Sequence, residues 1–187
     1  YNRGITRYHV QDFHGAIADY TKAIEIKLDF ADAFNNMGLA RKGLNDYDGA
    51  MLEFTKAIQL KPDYAEAYAN RGRVKGRTKD YQGAVSDYTK AIELNPHFAE
   101  AYYLRGSTKD DLQDYQGAIA DYTKSIELKP DDALVYYNRG VAKTALRDPY
   151  GMDADFSKAI ELNPEYAEAY NNRGMAKGIL GAHHEAI

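Results

Sequence analysis

Cysteine and tryptophan are both missing from these 187 residues, and proline is limited to five. Without a thiol there is no disulfide, no thiolate metal ligand and no cysteine nucleophile. A basic excess is missing too. Lys and Arg number 24 against 28 Asp and Glu, for a formal charge of −4, so nothing matches a phosphate backbone and nucleic acid is not an expected partner. No run of 18 apolar residues occurs, so no segment reads as a membrane-spanning helix and no membrane partner is expected. The histidines form no metal pair: His183 and His184 diverge on a helix, and His9 and His14 are five apart instead of four. No strand followed by a glycine-rich phosphate loop is predicted. The expectation is a non-enzyme with no cofactor and no metal. The lack of cysteine leaves the compartment open, with the cytoplasm only as a default. Tyr1 is not an initiator, so a signal peptide or a neighbouring domain can lie outside the sequence.

What is present is repetition. Gly4, Gly38, Gly72, Gly106, Gly140 and Gly174 stand at a constant interval of 34 residues, and a period of about 20 to 50 residues marks a stacked array. Each period holds two apolar patterns of helical type around a short polar break. In the third, the spacing predicts helices over 65–78 and 81–94. The first buries Tyr68, Gly72 and Val74, and the second buries Ala84, Val85, Tyr88, Ala91 and Ile92. Asp80 is placed to cap the second helix, as are Asp12, Asp46, Asp114 and Asp148. Pro62, Pro96, Pro130 and Pro164 end second helices by forcing the residue before them out of the α region. Asp63 and Glu66 then form a predicted capping box. Glycine inside a helix costs about 0.5–1 kcal/mol relative to alanine, so its recurrence implies a close neighbour. Ala16, Ala50, Ala84 and Ala118, twelve residues on, are the predicted partners.

The set Gly72, Ala84, Tyr88, Ala91 and Pro96, repeated as Gly38, Ala50, Phe54, Ala57 and Pro62, resembles the tetratricopeptide repeat (TPR) family across essentially the whole chain. The resemblance implies an all-α fold, a right-handed α-solenoid superhelix of antiparallel helix pairs, with first helices lining a concave groove. The expected organisation is a single array over 1–187: repeats 1–30 (partial), 31–64, 65–98, 99–132, 133–166 and 167–187 (partial), the last with its second helix just begun.

Two departures stand out. Arginine precedes the glycine in five repeats (Arg3, Arg71, Arg105, Arg139, Arg173), where the family more often has leucine. Aspartates sixteen residues on (Asp19, Asp87, Asp121, Asp155) predict an Arg–Asp bridge within each repeat, and the repeat with Met37 has Glu53. The alternative is an arginine row offered to a ligand. In the fifth repeat Met152 and Asp153 replace alanine and an apolar residue, which implies a rotated helix or an acid reaching solvent or a cation.

The groove is where repeats differ. Asn2, Asn36, Asn70, Asn138 and Asn172 share one register, broken by Leu104, and such amides can hold an extended peptide main chain. Arg73 and Arg77 lie at i,i+4 as a carboxylate fork, and Tyr103 and Tyr137 are candidate flat anchors. The candidate peptide-binding residues are Asn36, Asn70, Arg73, Arg77, Tyr103, Tyr137, Asn138 and Asn172. The lysines with which some TPR co-chaperones clamp a terminal carboxylate are replaced, for example by Ala69 and Glu66, so chaperone binding is not implied. The function read from this is a protein-interaction scaffold for an extended peptide or partner helix. The alternatives are a self-assembling array joined weakly head to tail, through apolar ends that include Tyr170, Met175, Ile179, Leu180 and Ile187, or a regulatory segment of a larger protein.

Overall fold

The structure, a computed structural model, describes residues 1–185, with side chains through residue 181. Among them are eleven helices and no strand: α1 (Asn2–His9), α2 (Phe13–Ile26), α3 (Ala31–Gly43), α4 (Tyr47–Leu60), α5 (Ala65–Arg77), α6 (Tyr81–Leu94), α7 (Ala99–Asp111), α8 (Tyr115–Leu128), α9 (Ala133–Ala145), α10 (Pro149–Leu162) and α11 (Ala167–Glu185). Two compact units contain them, Tyr1–Pro96 and His97–Ile187. Within each unit every helix packs on the next in sequence.

The turn inside each helix pair is built from two neighbouring residues. Gln11, Asn45, Lys79, Gln113 and Arg147 take positive φ of 54° to 65°, a region that is costly for residues with a Cβ and that reverses the chain. The aspartate that follows caps the second helix: Asp12, Asp46, Asp80, Asp114 and Asp148 accept from the amides of Gly15, Gly49, Gly83, Gly117 and Gly151, as the sequence predicts. Second helices end in extended backbone before proline, Asn95 at φ −137° and ψ 91° and Lys129 at φ −142° and ψ 92°. Lys27 adopts nearly the same conformation before Leu28, at φ −130° and ψ 95°, so proline reinforces this bend without being required for it. The predicted capping box is not formed. Tyr64 is the N-cap of α5, with no side-chain cap bond, and only at α9 does an aspartate there, Asp132, accept from a first-turn amide, that of Leu134.

The helices of a pair run antiparallel, as their ties show. Going four residues forward on α5, from Arg71 to Lys75, moves the partner four residues back on α6, from Asp87 to the Gly83 carbonyl. The repeated glycine sits under an aromatic ring and not chiefly under the predicted alanine. A Cβ on Gly4, Gly38, Gly72, Gly106 or Gly140 would stand 2.7–3.0 Å from a ring carbon of Tyr20, Phe54, Tyr88, Tyr122 or Phe156. The alanine is among the three nearest contacts at Gly106, where the Ala118 carbonyl oxygen would be 3.2 Å away, and at the other four all three are ring atoms. Those rings form the core with the alanines around them. Tyr20, Phe54, Tyr122 and Phe156 are all at most 1% exposed.

In the fifth repeat α10 is not rotated. Asp148 caps it, Phe156 covers Gly140, and Met152 is buried against Phe156 and Ala176. Asp153 is half-buried, and its Oδ1 has no hydrogen-bond partner among the described residues. The last repeat differs from expectation: α11 runs on through Glu185. Its sequence has Gly181 and Ala182 at the positions where the other repeats place the reversing residue and the capping aspartate, so the two signals that break the other helix pairs are missing. Ile187 lies outside the described residues.

Candidate functional site

The first helices carry three rows of residues whose positions decide what their face can do. The arginine row is already engaged. Arg71 donates from Nε and Nη2 to the two oxygens of Asp87 at 2.9 and 2.7 Å. Arg105 grips Asp121 in the same fork at 2.9 and 2.7 Å, and Arg139 grips Asp155 at 3.0 and 2.6 Å. Arg3 and Asp19 repeat the fork at the amino end. This bidentate geometry is the strong form of the interaction, and for these four arginines it favours the structural bridge, whereas Arg173 lies over the Tyr170 ring. A second cation joins each aspartate: Lys75 Nζ lies 2.9 Å from Asp87, Lys109 2.8 Å from Asp121, Lys143 2.8 Å from Asp155 and Arg7 3.2 Å from Asp19. The sequence reading missed these cations, although a basic residue four positions after the arginine was there to be seen. Thr55 and Thr123 accept from the remaining Nη1 of Arg71 and Arg139, which ties each first helix to the second helix before it.

The repeat with Met37 shows why its acid is a glutamate. With no arginine beside the glycine, Glu53 meets the cation one turn on, Arg41 Nε at 3.2 Å, out of line for a hydrogen bond. Arg41 Nη1 donates instead to the capping Asp46 at 2.7 Å. The consequences for charge are opposite. Hydrogen bonds from Arg3 hold Asp19 below the usual carboxylate range, and those from Arg41 and the Gly49 amide do the same for Asp46. Burial pushes Glu53 up. A depressed carboxyl stabilises the fold above its unfolded value and loses that contribution as pH falls through the folded one. A raised carboxyl stabilises below its unfolded value and loses that contribution as pH climbs through the folded one. Glu53→Gln, neutral at every pH, should therefore raise Tm at pH 7 and leave it nearly unchanged at pH 4. An equal change at both would show that the charge on Glu53 is not what matters.

The asparagine row is occupied from one side. Asn36 Nδ2 donates to the Tyr1 hydroxyl at 2.8 Å and Asn70 Nδ2 to Asn35 Oδ1 at 3.0 Å. Asn138 and Asn172 donate to the hydroxyls of Tyr103 and Tyr137, each at 3.2 Å. Each bond joins residues 35 apart on successive first helices, so the row holds those helices in register. Tyr103 and Tyr137 are half-buried, not free-standing plates: Tyr103 tilts against Tyr122 with centroids 6.0 Å apart, and Tyr137 stacks on Tyr166 at 4.8 Å. Arg73 is half-buried on α5, and Arg77 is exposed with Nη2 donating to the Tyr47 hydroxyl at 3.2 Å. The structure thus brings Asn36, Asn70, Arg73 and Arg77 onto first helices of the amino-terminal unit. Tyr103, Tyr137, Asn138 and Asn172 are on those of the carboxy-terminal unit.

An all-α chain of successive antiparallel helix pairs on a 34-residue period defines an α-solenoid protein. One family model, described as TPR repeat, matches residues 42–78 and 111–146, and three described as tetratricopeptide repeat match 65–98, 133–166 and 156–187. The chain belongs to the tetratricopeptide repeat family. No curated protein matches it by sequence. Among solved structures, a crystal structure of MamA is 28% identical with a TM-score of 0.78, covering 88% of this chain and 96% of that one. MamA 41-end from Desulfovibrio magneticus RS-1 is 22% identical with a TM-score of 0.80, over 89% and 94%. YrrB, described as a TPR protein with an unusual peptide-binding site, is 22% identical with a TM-score of 0.77, over 92% and 89%. At 22% identity the likeness is one of fold.

Proposed function

We propose that the chain is a non-enzymatic scaffold that holds an extended peptide or a partner helix against its first-helix face, with 1–187 acting as one array of repeats. The observation that carries this is a division of labour within the repeat. The glycine, the ring and the Arg–Asp–cation cluster recur with little change and are used up in packing, whereas the residue after the glycine changes from repeat to repeat: Ile5, Leu39, Arg73, Ser107, Val141 and Met175. A common frame carrying a changing surface is what a recognition face requires. Family membership supports an interaction role in general, and the peptide-binding site in the printed description of YrrB is consistent with it.

In this reading Asn36, Asn70, Asn138 and Asn172, with Tyr103 and Tyr137, fix the face, and Arg73 and Arg77 supply charge for an acidic peptide. The test is selection of twelve-residue peptides from a random displayed library on the intact protein. The selected peptides should be rich in Asp and Glu. Their affinity should fall at least about tenfold in Arg73→Glu/Arg77→Glu, a loss near 1.4 kcal/mol, with helicity and Tm unchanged. Selected peptides free of acid, or bound equally by the variant, would remove the two arginines from the site.

A second reading, weak association through the ends, is favoured by apolar exposure there. Ile26 is 88% exposed near the amino end, and Tyr170, Met175 and Ile179 are exposed on α11. Sedimentation at rising concentration should show an increasing mean mass, and a strict monomer throughout would dismiss it.

A further inference from the structure

The residue after the glycine follows the nature of the ring beneath it in four of five repeats. Phenylalanine goes with an apolar residue, Phe54 with Leu39 and Phe156 with Val141. Tyrosine goes with a polar one, Tyr88 with Arg73 and Tyr122 with Ser107. For Tyr122 the reason is direct, since its hydroxyl is hydrogen-bonded to Ser107. The first repeat breaks the rule: Tyr20 is a tyrosine, and the residue in Ser107's register is Ile5.

Tyr20 is 1% exposed, its ring lies on Gly4, and its hydroxyl has no hydrogen-bond partner among the described residues. Burial pushes that hydroxyl up to about 12, so it stays protonated and able to donate. Its oxygen is not among the buried side-chain atoms that lack a partner, so the hydroxyl reaches open space and not the dry core. Beside it is a cavity of about 160 Å³ on the first-helix side, lined by Ile5, Tyr8, His9, Tyr20, Asn36 and Leu39. An apolar cavity of about 150 Å³ is large enough for a benzene ring. Two of the lining residues are aliphatic, two are tyrosines, and the others are His9 and Asn36. The asparagine's Nδ2 is committed to Tyr1.

We propose that this cavity, between α1 and α3 and floored by α2, takes one side chain of an extended peptide. That side chain has an apolar body and a neutral hydrogen-bond acceptor at its tip: methionine or glutamine instead of leucine. The aliphatic walls cover the methylenes, and the Tyr20 hydroxyl donates to the thioether sulfur or the amide oxygen. A carboxylate would be stripped of water against Ile5 and Leu39, and neither a lysine nor an arginine lines the cavity to meet it. An aliphatic side chain would fill the space but leave the hydroxyl without a partner. The inference rests on the reading of the first-helix face as a binding surface and names what one part of it selects.

The probes are the N-acetyl amides of methionine, glutamine and norleucine, titrated into the intact protein while the methyl resonances of Ile5 and Leu39 are followed by NMR. Norleucine matches methionine in shape and lacks the acceptor. The better of methionine and glutamine should bind about three- to tenfold more tightly than norleucine, the range expected for one hydrogen bond. Tyr20→Phe, which copies Phe54 and Phe156, should abolish that difference. Ile5→Ser, which copies Ser107 and gives the hydroxyl a partner within the protein, should abolish it too. The proposal is overturned if norleucine binds as tightly as both others, if the difference survives in Tyr20→Phe, or if no probe shifts the two methyls. None of these outcomes touches the acidic-peptide selection, so the cavity can fail while the arginine site stands, and the reverse.

Discussion

Replacing Asp121 by leucine should cost about 3–5 kcal/mol of stability in urea unfolding, the penalty for leaving a buried charge without its counter-charge. The size follows from the cluster's composition. Asp121 is 4% exposed and stands between Arg105 and Lys109, so one substitution leaves two cations facing an apolar side chain. Removing Arg105 as well, the natural partner change on sequence grounds, should recover only part of the loss, because Lys109 remains. The triple change Arg105→Leu/Lys109→Met/Asp121→Leu should return to within about 1 kcal/mol of the parent, since a well-packed apolar set replaces a buried ionic one at little net cost. A loss under about 0.5 kcal/mol for Asp121→Leu would remove the cluster as a source of stability, and full recovery in the double variant would show that the lysine is idle.

The glycine and its ring give the second large effect. Phe54→Ala should cost about 3–5 kcal/mol, the range for truncating a fully buried aromatic side chain. Gly38→Val should cost about 1–3 kcal/mol by overpacking, because a Cβ there would stand 2.7 Å from the Phe54 ring. Combined, the two should cost less than their sum, since valine fills part of the space the ring vacates. Gly174 supplies the opposite sign. Nothing lies within 4 Å of where its Cβ would be, so Gly174→Ala should gain about 0.5–1 kcal/mol from helix propensity alone. A loss at Gly174, or strict additivity at Gly38 and Phe54, would remove the ring as the reason for the glycine.

The 34-residue period, the capping aspartates and the Arg–Asp pairs were legible in the sequence because each is a local or strictly repeated signal. Their partners were less so. The glycine announced a close neighbour, but ring and alanine recur at the same period, and periodicity cannot say which of them leans over the glycine. The reversing residues before the caps are Gln, Asn, Lys, Gln and Arg, which share no side-chain chemistry, so no residue type marked the positive φ. One chain position at a time shows an amide but not its acceptor, so from sequence the asparagine row reads as a surface for a ligand. In the sequence the acceptor is visible only on stepping back 35 residues, to Tyr1, Asn35, Tyr103 and Tyr137; the same step from Leu104 reaches Ala69, which has no side-chain acceptor. For the face itself, sequence gave the residues but not their prior commitments: Arg77 to Tyr47, Tyr137 to Tyr166.

The side-chain ties described above join residues no more than 35 apart, and this short reach governs how the molecule forms. Closing loops of that size costs little chain entropy, and folds with low contact order pass quickly to the native state. A helix pair can form wherever nucleation first succeeds and recruit its neighbour without waiting for the distant end of the chain. The same locality limits cooperativity: stability propagates only from neighbour to neighbour, so heat or denaturant should release helix pairs in succession. Hydrogen exchange would then grade along the sequence in place of one common protection value.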